Sequence, residues 1–158
     1  MAAGTSWFAP PSPGDIVWCR FPQGLGGTPG PKPRPALVLR VGQPDGAPIV
    51  EVAYGTSQKL DTLYAGEFAI TRNDGDAYDA AGLSYPTKFN LRETFELDYK
   101  DQWLAVPPGG PCGQTPKLGV LHPSLVRRAW KAQNHAALEA FNEHVERDGV
   151  FSDGLRSF

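Results

Sequence analysis

"RPALVLRVGQPDGAPIVEVAYGT", Arg34 to Thr56, decides how the chain folds. Two apolar runs, "ALVLRV" and "IVEVAY", flank "GQPDGAP", whose Asp45-Gly46 pair is a strong hairpin signal. The first run is nearly continuous in apolar residues, so its middle is expected to be buried on both faces. An antiparallel hairpin turning at Pro44 to Gly46 brings the two ends of the stretch together. Arg34 and Thr56 each stand eleven residues from Asp45 and are expected to be neighbours. Arg34 lies between Pro33 and Pro35, which stiffen the backbone around it and favour extended geometry. That is an unusual setting for an arginine that merely faces water.

Working outward, "DIVWCRF" (Asp15 to Phe21) is dense in β-branched and aromatic residues and predicts a strand. Ile16, Trp18 and Arg20 fall on one face and Val17, Cys19 and Phe21 on the other. Between it and the hairpin lies "PQGLGGTPGPKP", Pro22 to Pro33, with four glycines and four prolines. A loop of this length is often functional. Beyond the hairpin, "EFAIT" predicts a short strand, "RNDGDAYDAAG" reads as turns, "PTKFNLRETFELDY" supplies one or two strands and "WLAV" (Trp103 to Val106) another. From Pro123 the period changes. Val126, Trp130, Ala137, Phe141 and Val145 recur at helical spacing, widened by Leu125, Ala129 and Leu138, with Gly149 as the stop. His122 is expected to cap this helix, with a catalytic proton-carrier role as the alternative, and Asn134 could cap a second one. The expectation is an α+β protein, a small barrel or sandwich of five to seven short strands with a C-terminal amphipathic helix. Residues 1–13 read as a flexible N-terminal tail and 14–158 as a single domain.

The formal charge is −2 over 158 residues. A broad basic face for duplex nucleic acid is thereby excluded, so any polyanion site must be local. Cys19 and Cys112 lack the spacing of a zinc site, and His135 and His144 do not share a helix face, so no metal and no cofactor is expected. No secretory signal and no apolar run of membrane-spanning length is seen, and the expected location is cytoplasmic. "GTSQK" offers Thr56, Ser57, Gln58 and Lys59 beside Arg34, which is the inventory for holding a phosphate and orienting an attacking oxygen. On spacing alone the alternative stays open that Arg34 ties down the loop and Thr56 caps a turn.

"PGDIVWCRF", a Gly-rich loop, "RPALVL" and then a strand ending in "TSQ" resemble the MazF/PemK toxins of type II toxin-antitoxin systems. The resemblance covers Gly14 to Lys59 well and the rest in outline. It implies an SH3-like barrel, a homodimer, a cognate antitoxin, and cleavage of single-stranded RNA without metal. It implies catalytic roles for Arg34 and Thr56. A substrate groove would draw on Lys32, Ser57, Gln58, Lys59, Tyr85 and Lys88, with Arg92, Tyr54 and Phe89 as further contacts. Two departures stand out. The loop has "GGTPGPKP" where the family often has a "GSEQ"-like segment, and "SYPTKFN" offers Lys88 but no acid where the family has one. A second expectation is therefore kept, a catalytically silent barrel that binds a protein, as a regulator or a topoisomerase inhibitor.

Overall fold

The computed structural model describes residues 10–23, 27–43, 46–107 and 115–134. Among the described residues there are eight strands: β1 (Asp15–Cys19), β2 (Pro22–Gln23), β3 (Thr28–Pro29), β4 (Arg34–Gly42), β5 (Ile49–Thr56), β6 (Glu67–Ile70), β7 (Thr87–Asp98) and β8 (Lys117–Val120). Six of them form one antiparallel sheet in the order β6-β7-β5-β4-β1-β8, while β2 and β3 pair as a small ribbon inside the Gly/Pro-rich loop. Three register shifts, at Ile16/Val17, Val38/Arg40 and Ala53/Tyr54, insert extra residues and curl the sheet into a half-barrel. The expected α+β, barrel-like architecture is what the chain adopts.

Alternation along β4 explains why its sequence is almost wholly apolar. Leu37 and Leu39 point into one hydrophobic core with Ile16, Phe68 and Phe89. Ala36 and Val38 point into a second core with Val17, Cys19, Phe21 and Leu97. All four β4 residues are fully buried, as the hairpin reading required. Phe21 anchors the second core, stacking edge-on against Tyr54 with ring centroids 4.8 Å apart.

Two local expectations are corrected. "RNDGDAYDAAG" is not simply turns: after a 3-10 turn at Arg72–Asp74 it forms helix α1 (Asp76–Ala81). Ala77 and Ala81, four residues apart and buried, were its only helical signal. "WLAV" is not a strand. Trp103 and Leu104 donate to the Lys100 carbonyl in a tight turn, and only Leu104 bridges to Cys19. The last sheet strand is β8 instead, and its Gly119 lets α1 approach so closely that any Cβ there would strike the Ala80 carbonyl oxygen. Helix α1 thus closes against β8, at the opposite edge of the sheet from β6.

Helix α2 (123–134) covers the first core. His122 is its cap, as expected: Nδ1 accepts from the Ser124 amide at 3.1 Å and lies 2.8 Å from the Ser124 hydroxyl. The buried stripe is rotated from the sequence reading. Leu125, Ala129 and Ala132 are buried, Val126 packs beside them, and Trp130 is 52% exposed. The alanines allow close approach to the sheet, and Arg128 fixes the rotation by donating to the Ala69 carbonyl at 3.0 Å and to Asp74 at 3.1 Å. The remainder of the expected stripe (Ala137, Leu138, Phe141, Val145), the Asn134-capped second helix and the Gly149 stop extend outside the described residues. So do Cys112, His135, His144 and the hairpin turn at Pro44-Asp45. No helix among the described residues is long and apolar enough to cross a membrane.

Candidate functional site

The register between β4 and β5 pairs Leu37 with Ala53 and Ala36 with Tyr54. Two further steps set Arg34 opposite Thr56, the neighbours that counting from Asp45 predicted. Gly55 makes this approach possible. A Cβ on it would strike the Pro35 carbonyl oxygen and would lie 2.8 Å from the Phe89 ring. On the other side of the sheet Thr56 pairs with Lys88, and Lys88 with Ala69 of β6. Arg34 pairs with Cys19 of β1. One transverse row, Cys19, Arg34, Thr56, Lys88 and Ala69, therefore crosses five strands on a single face, at the end of the sheet nearest the Gly/Pro-rich loop.

The members of the row differ in how far they are already committed. The Cys19 thiol is fully buried, and burial pushes it up to about 12 against a weak opposing pull from Arg20. It is a protonated packing group. Thr56 is half-buried, and its Oγ1 accepts from the Gln58 amide at 3.2 Å, which leaves the hydroxyl hydrogen free to donate. That bond shapes the turn Ser57-Gln58-Lys59, which is exposed, with Lys59 in a left-handed conformation at φ 54°. Arg34 is half-buried, and among the described residues nothing pairs with its guanidinium. By contrast Arg20 donates to the Asp101 carbonyl, Arg40 pairs with Glu51 and Arg128 with Asp74. A half-buried, stiffly held guanidinium without a carboxylate presents an open fork of donors suited to a phosphate.

Lys88 is the largest difference from a solvated groove. Only 5% of it is exposed. Its Nζ donates to the Thr62 carbonyl at 2.9 Å and to Glu67 Oε1 at 3.1 Å, and it lies 5.7 Å from the centre of the Tyr64 ring. Glu67 Oε1 also accepts from the Tyr64 amide at 2.8 Å. The carboxylate partner of Lys88 comes from β6, twenty-one residues earlier in the chain. Strand pairing, which local motifs do not encode, brings it there. The signal available in the sequence was the alternation of "EFAI", which puts Glu67 and Ala69 on one face.

The other expected contacts distribute around this end of the sheet. Lys32 is exposed just before β4, and Ser57, Gln58 and Lys59 are exposed just after β5. Tyr85, 67% exposed, stands three residues before Lys88, and Tyr64, equally exposed, flanks the other side of the row. Arg92 is exposed further along β7, whereas Phe89 is fully buried beneath Gly55 and is no surface for a base. Tyr54 is half-buried against Phe21.

With this geometry in view, one comparison with known proteins speaks to function. Residues 124–158 match the family model described as post-segregation antitoxin CcdA. No curated protein matches the chain. The match begins in helix α2, covers well under half of the sequence, and ties the chain to a toxin-antitoxin context.

Proposed function

We propose that the protein is a toxin of the MazF/PemK kind from a type II toxin-antitoxin system, a metal-independent endoribonuclease acting on single-stranded RNA. The observation that carries this reading is the Arg34 guanidinium, unpaired among the described residues and held opposite the Thr56 hydroxyl beside a long loop. In the reaction the substrate's 2′-hydroxyl oxygen attacks the adjacent phosphorus. The P–O5′ bond breaks, leaving a 2′,3′-cyclic phosphate and a 5′-hydroxyl. The 2′-hydroxyl proton leaves to solvent and the departing oxygen takes one from it, while Arg34 stabilises the charge that builds on the equatorial oxygens and Thr56 donates to a phosphate oxygen and holds it in line. Exposed Lys32 and Lys59 steer the backbone, and Tyr64 and Tyr85 offer faces for unstacked bases. Lys88 acts from underneath: bound to Glu67, it fixes the end of β7 on which Thr56 is paired. A cognate antitoxin would silence the site, and a homodimer would present two of them.

The test is incubation of the purified protein with long single-stranded RNA in EDTA. Cleavage to 5′-hydroxyl ends that persists under chelation and disappears in Arg34→Ala is the expected result. RNA left intact under every condition overturns the enzyme.

A second reading rests on a different observation. Trp130, 52% exposed on α2, lies within the antitoxin-matched segment beside Val126, Arg127 and Lys131. A silent barrel that binds a protein, as a regulator or topoisomerase inhibitor, would use this face. Growth inhibition lost in Trp130→Ala but kept in Arg34→Ala selects it.

A further inference from the structure

We propose that Asn90 reads the base next to the scissile phosphate and selects the keto bases, uracil and guanine, over cytosine and adenine. This deepens the nuclease reading and rests on it for the place of that phosphate. Phe89 and Leu91 lie in the first core, so alternation along β7 turns Lys88 and Asn90 to the opposite face, the one that carries Arg34 and Thr56. Asn90 pairs with Tyr54 of β5 on one side and with Glu67 of β6 on the other. A second transverse row, Ala36, Tyr54, Asn90 and Glu67, thus runs directly behind the row of Arg34, Thr56 and Lys88. Asn90 stands diagonally from Thr56, about 7–8 Å away, which is close to one nucleotide along an extended strand.

Within this second row the polar groups are committed to different degrees. Glu67 holds the Lys88 ammonium and the Tyr64 amide. The Tyr54 ring is locked edge-on against Phe21. Asn90 is half-buried, and its Oδ1 accepts from the Arg92 amide at 2.9 Å. That bond shapes the bulge in which Leu91, Arg92 and Glu93 have no counterpart on β5. It also fixes which end of the side-chain amide is which: the oxygen is used and the NH2 group is presented. Among the described residues nothing accepts from Nδ2.

A donor fixed in this way distinguishes bases by their exocyclic group. Uracil and guanine carry a carbonyl oxygen there and accept from it. Cytosine and adenine carry an amino group, itself a donor, so that two donors meet and neither is satisfied. Asn90 cannot turn its oxygen toward an amino base without giving up the Arg92 amide. Single-stranded RNA exposes these edges once its bases unstack. Tyr64, 67% exposed and with its backbone amide held by Glu67 beside Asn90, offers the same base a face to stack on.

The experiment uses the full chain. Fluorescein-labelled oligo(U) and oligo(C) are titrated into it, and cleavage of a random-sequence single-stranded RNA is mapped by sequencing the new ends. The native protein is expected to bind oligo(U) about tenfold more tightly than oligo(C), and to cut with uracil or guanine at one position flanking the break. Asn90→Asp keeps an oxygen for the Arg92 amide and replaces the donor by an acceptor, so the preference should reverse at that one position. The ratio is the readout, because the added carboxylate weakens binding of every RNA. Asn90→Ser keeps a hydroxyl for the amide without the second group, and should abolish the preference without reversing it. A side chain that only shaped the bulge would change stability and leave both ratios alone.

Equal binding of the two oligomers by the native protein, or a preference unchanged in both variants, overturns the assignment. RNA cut without any keto preference leaves the nuclease standing and removes the base reading. A uracil preference that depends on Asn90, in a protein that cuts no RNA, upholds the base subsite and removes the nuclease. Neither binding nor cutting removes both.

Discussion

Replacing Lys88 by methionine is expected to destabilise the protein by about 3–5 kcal/mol, the cost of leaving one charge of a buried pair without the other. The estimate follows from the surroundings of the pair. The Lys88 and Glu67 side chains are only 6% and 9% exposed, so neither is screened by water. Methionine keeps most of the aliphatic stem, which limits the cavity contribution. What it removes is the donor to the Thr62 carbonyl and to Glu67 Oε1, leaving the carboxylate with the Tyr64 amide as its other partner. Removing both charges, in Lys88→Met/Glu67→Gln, should recover about 2 kcal/mol, because a neutral amide costs less to bury than an unpaired carboxylate. Urea unfolding followed by tryptophan fluorescence reads these differences. With a slope of about 2 kcal/mol/M the single variant should lower the midpoint by roughly 1.5–2.5 M. A shift below about 0.3 M, or a double variant as unstable as the sum of the two singles, would refute the idea that the pair holds the β6–β7 end of the sheet.

Three further perturbations probe neighbouring parts of the fold. Gly55→Ala forces a methyl against the Pro35 carbonyl and the Phe89 ring, and should cost about 2–4 kcal/mol by pushing β4 and β5 apart; calorimetry measures the loss, and RNA cleavage should fall with it because Arg34 and Thr56 separate. At Asp74, burial raises the carboxyl but is outweighed by the Arg128 hydrogen bond, the Thr71 amide and the Arg128 charge, so the net shift is downward. A lowered carboxyl contributes its stability above the ordinary value of 3.8 and loses it as pH falls through the folded-state value; Asp74→Asn should therefore destabilise at pH 7 by about 1–2 kcal/mol and flatten this part of the acid limb in pH-dependent unfolding. Gln133 is 2% exposed, and neither its amide nitrogen nor its oxygen has a partner among the described residues. Gln133→Met removes that unsatisfied group and should raise the melting temperature by about 2–4 °C in a thermal scan.

What could be read in the sequence was whatever short-range pattern determines. The hairpin and the Arg34–Thr56 juxtaposition follow from two apolar runs about one turn; the pairs nearest the turn, such as Gly42 with Ile49, are offset by one residue from a count centred on Asp45, and the shift at Val38/Arg40 restores that count by Ala36 and Tyr54. Both faces of β1 were legible from alternation alone. Elements decided by tertiary contact were not. Helix α1 is six residues long, too short to display a period, and exists because Gly82 and Gly119 let it lie against β8. The α2 stripe was displaced because the largest apolar residue, Trp130, was taken as its centre; small residues, Ala129 and Ala132, mark the true line of closest approach.

Lys88 shows why the site itself was only partly legible. A lysine within "SYPTKFN" has no local sign of burial, and its place in a substrate groove was a natural expectation. Sheet order alone changes its role: with β7 lying between β6 and β5, Lys88 has Ala69 on one side and Thr56 on the other, while Glu67, next but one along β6, reaches its ammonium. The two cations of the row then divide the work by partnership. Lys88, neutralised by Glu67, holds the strand that supports Thr56, and Arg34, with no carboxylate beside it among the described residues, remains the group that can take an incoming anion. If that division holds, Lys88→Arg should perturb stability, since a planar fork cannot reproduce the Thr62 and Glu67 geometry. Arg34→Lys should leave stability within about 0.5 kcal/mol and lower RNA cleavage. The opposite pattern, cleavage surviving Arg34→Lys while the fold suffers, would make Arg34 the structural residue.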